Sequence, residues 1–237
     1  MSRRRPPNQL RPTRIERHAT AAAGGVRITQ GNTQVLCTAS IAKDVPPWLA
    51  DRHTGEATRG WITAEYAMLP GSTPDRKRRG TDSRSTEIQR LIGRTLRAGV
   101  DLEKMPGLMI TCDCDVLIAD GGTRTAAITG AYVALAQAIA HARNHKLIKK
   151  NPIKGPIAAI SVGIIDGQPQ LDLDYALDVR AEVDMNIAMN HKGDYVEIQG
   201  TAEAATFTHK QLDQMLALAT RGIRKLMPLQ RAVLRQG

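Results

Sequence analysis

The sequence predicts a mixed α/β (α+β) fold, a single domain over residues 1–237 made of two similar halves, about 1–143 and about 156–237. Three observations carry this. Each half contains a pair of strand-like runs around a turn-forming sequence. Each half closes on a long stretch with helical apolar spacing. The lysine-rich connection between them, residues 144–155, is short and not of low complexity, so the halves read as an old duplication packed as one unit.

The first 18 residues are basic and broken by proline (Arg3, Arg4, Arg5, Pro6, Pro7, then Arg11, Arg14 and Arg17) and read as an arm leading into a strand. Val26–Thr29 and Gln34–Ala39 flank Gln30-Gly31-Asn32-Thr33, a hairpin signal. Residues 44–60 are irregular, with Pro46, Pro47 and Gly55; Trp61–Tyr66 reads as a strand, and a basic loop follows from Gly71 to Ser83. Ser85–Val100 has helical period, with Ile88, Leu91, Ile92, Leu96 and Val100 on one face and Arg90, Arg94 and Arg97 on another. Met109–Leu117 reads as a strand and Ala126–Ala142 as an alanine-rich helix. In the second half, Ala158–Ile165 and Gln170–Tyr175 flank Asp166-Gly167-Gln168-Pro169, a second hairpin signal, and Val179–Asn186 and Tyr195–Gln199 read as strands. Thr208 with Gln211 forms a capping box for the last helix, whose apolar face is Leu212, Met215, Leu216, Ala219, Ile223 and Leu226. Pro228 is expected to end or kink it.

Between the strand at Met109–Leu117 and its following helix stands Asp120-Gly121-Gly122-Thr123-Arg124-Thr125. Two glycines let the backbone turn sharply and approach a ligand closely. The unpaired amides of a helix start, at the positive end of its dipole, favour an anion. Thr123 and Thr125 add hydroxyl donors, and the Arg124 fork fits phosphate oxygens. The segment reads as a phosphate cradle; the plain alternative is a Gly-Gly turn before a capped helix.

Asp178 to Asn186 alternates, so that Asp178, Arg180, Glu182, Asp184 and Asn186 would share one face of a strand. A half-buried strand with a solvated side explains the pattern by itself. The functional reading is that Asp178 and Asp184 converge on a hard cation such as Mg2+, which takes carboxylates, water and substrate phosphates. Arg76-Lys77-Arg78-Arg79, with Arg84 beyond, is either a solvated basic run or a guide for a nucleic-acid backbone.

Composition narrows the classes. A net charge of +10 suggests a polyanionic partner, because neutralising phosphates releases counterions. Only 3% of residues are aromatic, so base-stacking sheets of the RNA-recognition-motif kind are not expected. Three cysteines, Cys37, Cys112 and Cys114, make no disulfide framework and lack the partners of a zinc site. His141 and His145 have i, i+4 spacing without an acidic partner and read as surface residues. Prolines rather than an apolar run follow the basic N-terminus, and no stretch of about 18 apolar residues stands out, so neither a signal peptide nor a membrane span is expected. The expected location is cytoplasmic. Nothing resembles a helix-turn-helix or zinc-finger DNA reader.

The combined motifs resemble the RNase PH family over nearly the whole chain. The residues that carry this are Asn8–Pro12, Val35–Ser40, Gly60–Tyr66, Glu87–Arg94, Asp113–Leu117, Ala119–Thr125, Ser161–Ile164, Asp184–Asn186 and Gln199–Glu203. The resemblance implies a duplicated βαβ-type fold and a phosphate-dependent 3′→5′ exoribonuclease, also a nucleotidyltransferase in reverse, that trims tRNA precursors and some ribosomal RNA ends. It implies a homohexamer, a trimer of dimers. By position, Gly122, Thr123 and Arg124 would hold the attacking phosphate, and Arg84 would bind it from the other side. Asp178 and Asp184 would place the metal, with Asp184 helping proton transfer, and Arg76, Arg78 and Arg79 would hold RNA. The chain departs from the family where Leu177 and Val179 flank Asp178 in place of a glutamate and a serine. It departs again in Ser83 and Ser85 beside Arg84, in a longer segment at Ala50–Arg59, and in a shorter Gly71–Ser83 loop. An alternative consistent with those departures is a weakly active or inactive RNA-binding ring subunit of the same fold.

Overall fold

Five strands of the first half and four of the second form two separate sheets. This computed structural model describes residues 5–51, 53–80, 82–202 and 206–236; Arg3, Arg4 and Glu203 lie outside the described residues.

β1 (Thr13–Arg17), β2 (Gly24–Gln30) and β3 (Thr33–Ala42) run antiparallel, with Gly31-Asn32 as the two-residue loop joining β2 to β3. β4 (Trp61–Met68) leads into α1 (Ser83–Ala98), which crosses over to β5 (Met109–Ile118), and β5 pairs parallel with β4 and antiparallel with β3. The sheet order is β1-β2-β3-β5-β4. The alternation of β5 buries Ile110, Cys112, Cys114 and Val116 and leaves Asp113 and Asp115 half-buried on the other face. α1 starts where the Asp82 carboxylate accepts the Ser85 amide at 2.7 Å, and it buries Ile88, Leu91, Ile92 and Leu96.

α2 (Thr123–Asn144) is buried on nearly every side because it lies between the sheets, packed on β2 and β3 and on β6 (Ile157–Ile165) of the second half. Its length and hydropathy would allow it to cross a membrane, yet 83% of that stretch is buried inside the fold, as expected of a core helix with no polar face. One of its buried polar groups is satisfied across the layers: Thr129 Oγ1 accepts from the Ala159 amide at 3.0 Å.

β6, β7 (Gln168–Leu171), β8 (Val183–Asn190) and β9 (Tyr195–Ala202) are antiparallel in the order β7-β6-β8-β9. α4 (His209–Arg235) closes the far side over a core that includes Ile160, Val162, Val183, Met185, Ile223 and Leu226, and its capping box at Thr208 and Gln211 is formed.

Four expectations need correction. The second hairpin turns on Asp166-Gly167 alone, both at positive φ, so Gln168 and Pro169 belong to β7, which ends at Leu171. Proline is tolerated there because β7 is the edge of its sheet. Asp178 is not on a strand. The Asp174 carboxylate accepts the Leu177 amide at 3.0 Å, and this cap winds Tyr175–Asp178 into one helical turn, α3; β8 starts only at Val183. Pro228 does not end α4, which runs on to Arg235. It is exposed, whereas Met227, Gln230 and Val233 around it are buried, and Gln230 Nε2 donates to the carbonyls of Thr129 (2.9 Å) and Ile157 (2.7 Å). Finally, the arm expected over residues 1–18 already contains β1, and Arg11 just before it is 6% exposed and reaches into the second half.

Candidate functional site

The C-terminal ends of β4 and β5, the start of α2, α3 and β8 enclose a cleft of about 250 Å³. Gly121, Gly122, Thr123 and Arg124 form one wall; Arg84, Asp178 and Asp184 also line it. Sequence positions 84, 122–124, 178 and 184 are thus brought together by the fold.

The cradle is built by its backbone. Gly121 and Gly122 sit at φ +72° and +66°, the left-handed region that glycine occupies without penalty. A Cβ on Gly121 would lie 2.6 Å from the Leu173 carbonyl oxygen and 2.7 Å from the Tyr175 nitrogen, so this turn is pressed against the chain leading into α3. Gly122 is the N-cap of α2 and has no side chain to close over the first amides. The positive end of α2, a helix of 22 residues, therefore opens on the cleft.

The turn is aimed from behind. Arg11 Nη1 donates to the Asp120 carbonyl at 2.6 Å, and Thr33 Oγ1 donates to the Gly121 carbonyl at 2.7 Å. With those carbonyls held at the back, the amides that follow face forward. Arg11 is itself fixed by buried Asp172, through Nε at 3.0 Å and Nη2 at 2.7 Å. The buried Tyr66 hydroxyl donates to Thr123 Oγ1 at 2.8 Å and so orients the threonine in the cradle. Burial raises the Tyr66 phenol above its ordinary pKa, which keeps it a donor, although the charge of Arg84 opposes the shift.

Arg124 is held rather than loose. Its Nη1 donates to Gln199 Oε1 at 2.8 Å and lies 3.6 Å from Glu87 Oε1, while Gln199 Nε2 donates to Glu87 at 2.6 Å. α1, α2 and β9 thus meet at one guanidinium, and an arriving anion would compete with Glu87 for it. Arg84 stands exposed on α1, its Nη1 3.5 Å from the Met68 sulfur.

Asp178 and Asp184 reach the cleft from different elements, α3 and β8. On β8 the expected alternation holds: Val183 and Met185 enter the core under α4, while Asp184 and Asn186 line the cleft. Among the described residues no three or more His, Cys, Asp or Glu side chains gather as a metal cage. Two carboxylates lining one cleft do suit a Mg2+ ion, which keeps several waters and takes the rest of its shell from substrate phosphate.

The basic loop is only partly at the cleft. Lys77 and Thr73 line it, whereas Arg76, Arg78 and Arg79 are exposed and do not. Sequence reasoning missed Arg11, Asp172, Tyr66 and Tyr175. A lone arginine in a basic arm and an aspartate in an irregular stretch give no local signal, because their meeting depends on how the two halves pack.

Comparison with known proteins gives concordant results. Residues 9–140 match the 3′ exoribonuclease family, domain 1, and residues 155–222 match domain 2 of the same family. Ribonuclease PH of Corynebacterium efficiens is 53% identical over 233 residues, 96% of this chain and 93% of that protein. Ribonuclease PH of a Synechococcus species is 51% identical over 245 residues, 99% of this chain and 98% of that protein. Among solved structures, a chain of the Archaeoglobus fulgidus exosome with RNA bound to the active site has a TM-score of 0.79 at 21% identity, covering 94% of this chain and 89% of its own. Rice Rrp46 has a TM-score of 0.75 at 20% identity, covering 97% and 98%. At such low identity these structures share the fold.

Proposed function

The chain belongs to the 3′ exoribonuclease family of the RNase PH type, and we propose that its cleft seats inorganic phosphate on the start of α2 and directs it at the 3′ end of an RNA. The protein is a phosphorolytic 3′→5′ exoribonuclease, a tRNA nucleotidyltransferase when run in reverse. The single observation that carries the site assignment is the joint placement of Gly122–Arg124, Arg84, Asp178 and Asp184 around one cleft.

In the reaction, an oxygen of inorganic phosphate forms a bond to the phosphorus of the last phosphodiester. The bond from that phosphorus to the penultimate O3′ breaks. The terminal nucleotide leaves as a nucleoside diphosphate, and the departing O3′ takes a proton, with Asp184 as relay. Gly122, Thr123 and Arg124 hold the nucleophile from one side and Arg84 from the other. Asp178 and Asp184 would hold a Mg2+ ion, which would supply charge neutralisation at the reacting phosphates. No covalent enzyme intermediate is needed, so positioning and a preorganised positive field account for the acceleration.

The RNA substrate is read as tRNA precursors with 3′ extensions, with ribosomal RNA ends as further candidates. Arg76, Arg78 and Arg79 lead the chain of RNA to the cleft, and the assembly is a homohexameric ring. The inactive-subunit alternative is not favoured, because the cradle and both aspartates are present and the ribonuclease PH relatives match over nearly their full length.

The test is an end-labelled tRNA with a 3′ extension, incubated with the protein and magnesium, with and without phosphate. Shortening that requires phosphate and releases nucleoside diphosphates is the expected result. Shortening without phosphate, or binding with no shortening, would overturn it.

A further inference from the structure

The cleft carries one feature that phosphate and metal handling do not use. Tyr175 lines it, yet its side chain is 64% exposed. No other aromatic lines the cleft among the described residues, and Tyr66 and Tyr132 are 1% and 2% exposed. An apolar ring open to water beside a phosphate site gains nothing from burial within its own chain, but every nucleobase offers it a face to stack on.

The backbone that carries the ring is also tied to the cradle. The Tyr175 amide donates to Asp120 Oδ1 at 3.3 Å, one residue before the Gly121-Gly122 turn. The same Asp120 carboxylate accepts from Asn32 at 3.0 Å, so it is held from both sides. Gly121 presses on the backbone at Tyr175, where a Cβ would come within 2.7 Å of the nitrogen. The distance from the cradle to the Tyr175 backbone is therefore set by short, direct links, and the ring projects from that fixed point. A group that must sit a fixed step from the attacked phosphorus, on an otherwise sequence-indifferent RNA, is the base of the 3′-terminal nucleotide.

We propose that Tyr175 is the stacking surface for the 3′-terminal base, positioning the scissile phosphodiester and giving a preference for purine ends. This rests on the reading of the cleft as the phosphorolytic site. Stacking strength rather than hydrogen bonding would set the preference, because larger bases cover more of the ring.

The experiment is equilibrium binding of short labelled RNAs without phosphate, which reads stacking independently of turnover, followed by steady-state phosphorolysis. The RNAs end in A, G, C, U or a 3′-terminal abasic ribose. Tyr175→Ala should weaken binding of purine-ended RNA about tenfold and raise its KM similarly, with the KM for phosphate unchanged. Tyr175→Phe should bind like the native protein. The abasic end should cost the native protein the same factor and cost Tyr175→Ala nothing further. Equal binding of all five ends by native protein and Tyr175→Ala would overturn the proposal, as would an equal loss for abasic and purine ends. Failure of the native protein to release nucleoside diphosphates would instead sink the phosphorolytic reading, and the binding comparison would still decide on Tyr175.

Discussion

Arg11 and Asp172, separated by 161 positions in the chain, form a buried ion pair at 2.7 Å that joins the two halves behind the Gly121-Gly122 turn. Asp172 also accepts from the Arg11 amide at 2.7 Å and from Gln30 Nε2 at 2.8 Å, and it is fully buried. A well-bonded buried pair of this kind matters most when one member is removed, because the other then keeps a buried charge, here with only Arg5 4.0 Å away to offset it.

Arg11→Ala should therefore lower the unfolding free energy by about 3–5 kcal/mol, read from the midpoint of urea denaturation. It should also raise the KM for phosphate in whatever fraction folds, since the Asp120 carbonyl loses its donor. A loss below about 1 kcal/mol with unchanged phosphate KM would show that the pair neither ties the halves together nor aims the turn.

Gly121→Ala places a methyl 2.6 Å from the Leu173 carbonyl oxygen at a φ of +72°, so backbone must shift. Left-handed strain alone costs about 1–2 kcal/mol. Phosphate affinity should fall at least tenfold, checked by phosphate-dependent kinetics, while RNA binding measured without phosphate stays within about twofold. Native-like kinetics would mean the turn does not need its present shape.

Arg124→Ala should abolish phosphorolysis and leave RNA binding mostly intact, because the proposed role of the cradle is to hold phosphate rather than the chain. Removing it also frees Gln199 and Glu87 from their shared cation. If binding, read by filter retention, falls in step with activity, the cradle is not a dedicated phosphate seat.

Replacing Arg76, Arg78 and Arg79 together by alanine should weaken RNA binding and flatten its dependence on salt. Each lost phosphate contact lowers the magnitude of the log–log slope by about 0.7 on single strands. All three are exposed and off the cleft, so kcat at saturating RNA should change little. A slope identical to the native one would place the RNA path elsewhere.

Half-burial, helped by Asp115 on the same face and Glu65 in register on β4, holds the Asp113 carboxyl above its ordinary pKa. The folded state then binds that proton more tightly than the unfolded chain. The benefit is full below the ordinary carboxylate value and is lost as pH rises through the raised folded value. Asp113→Asn should raise the melting temperature near about pH 7 and leave it unchanged near about pH 3, where the native residue is already neutral. Thermal melts across that range check this; a variant less stable at neutral pH would refute it.

Much of this protein was legible locally. The Gly31-Asn32 hairpin, the Ile88-to-Leu96 stripe of α1, the capping box at Thr208 and the Gly-Gly turn before α2 all follow from interactions within a few residues. Where reading failed, two local forces competed or a distant one intervened. Asp178 alternates perfectly with its neighbours, but the Asp174 cap winds that stretch into a turn. Pro228 carries a helix-breaking signal, but Gln230 and the buried residues beyond it hold α4 in place.

The sequence by itself determined the two-part α/β pattern, the anion-favouring helix start and the basic balance, because backbone conformation, capping and charge depend on residues close in the chain. Only the tertiary structure decided that Asp178 and Asp184 face one cleft from two elements, that Arg11 and Asp172 brace the turn, and that Tyr175 stands open beside it. Those relations depend on how two sheets close on a shared helix. That packing is set by burial of apolar surface, which is non-directional and leaves no mark on any one short segment.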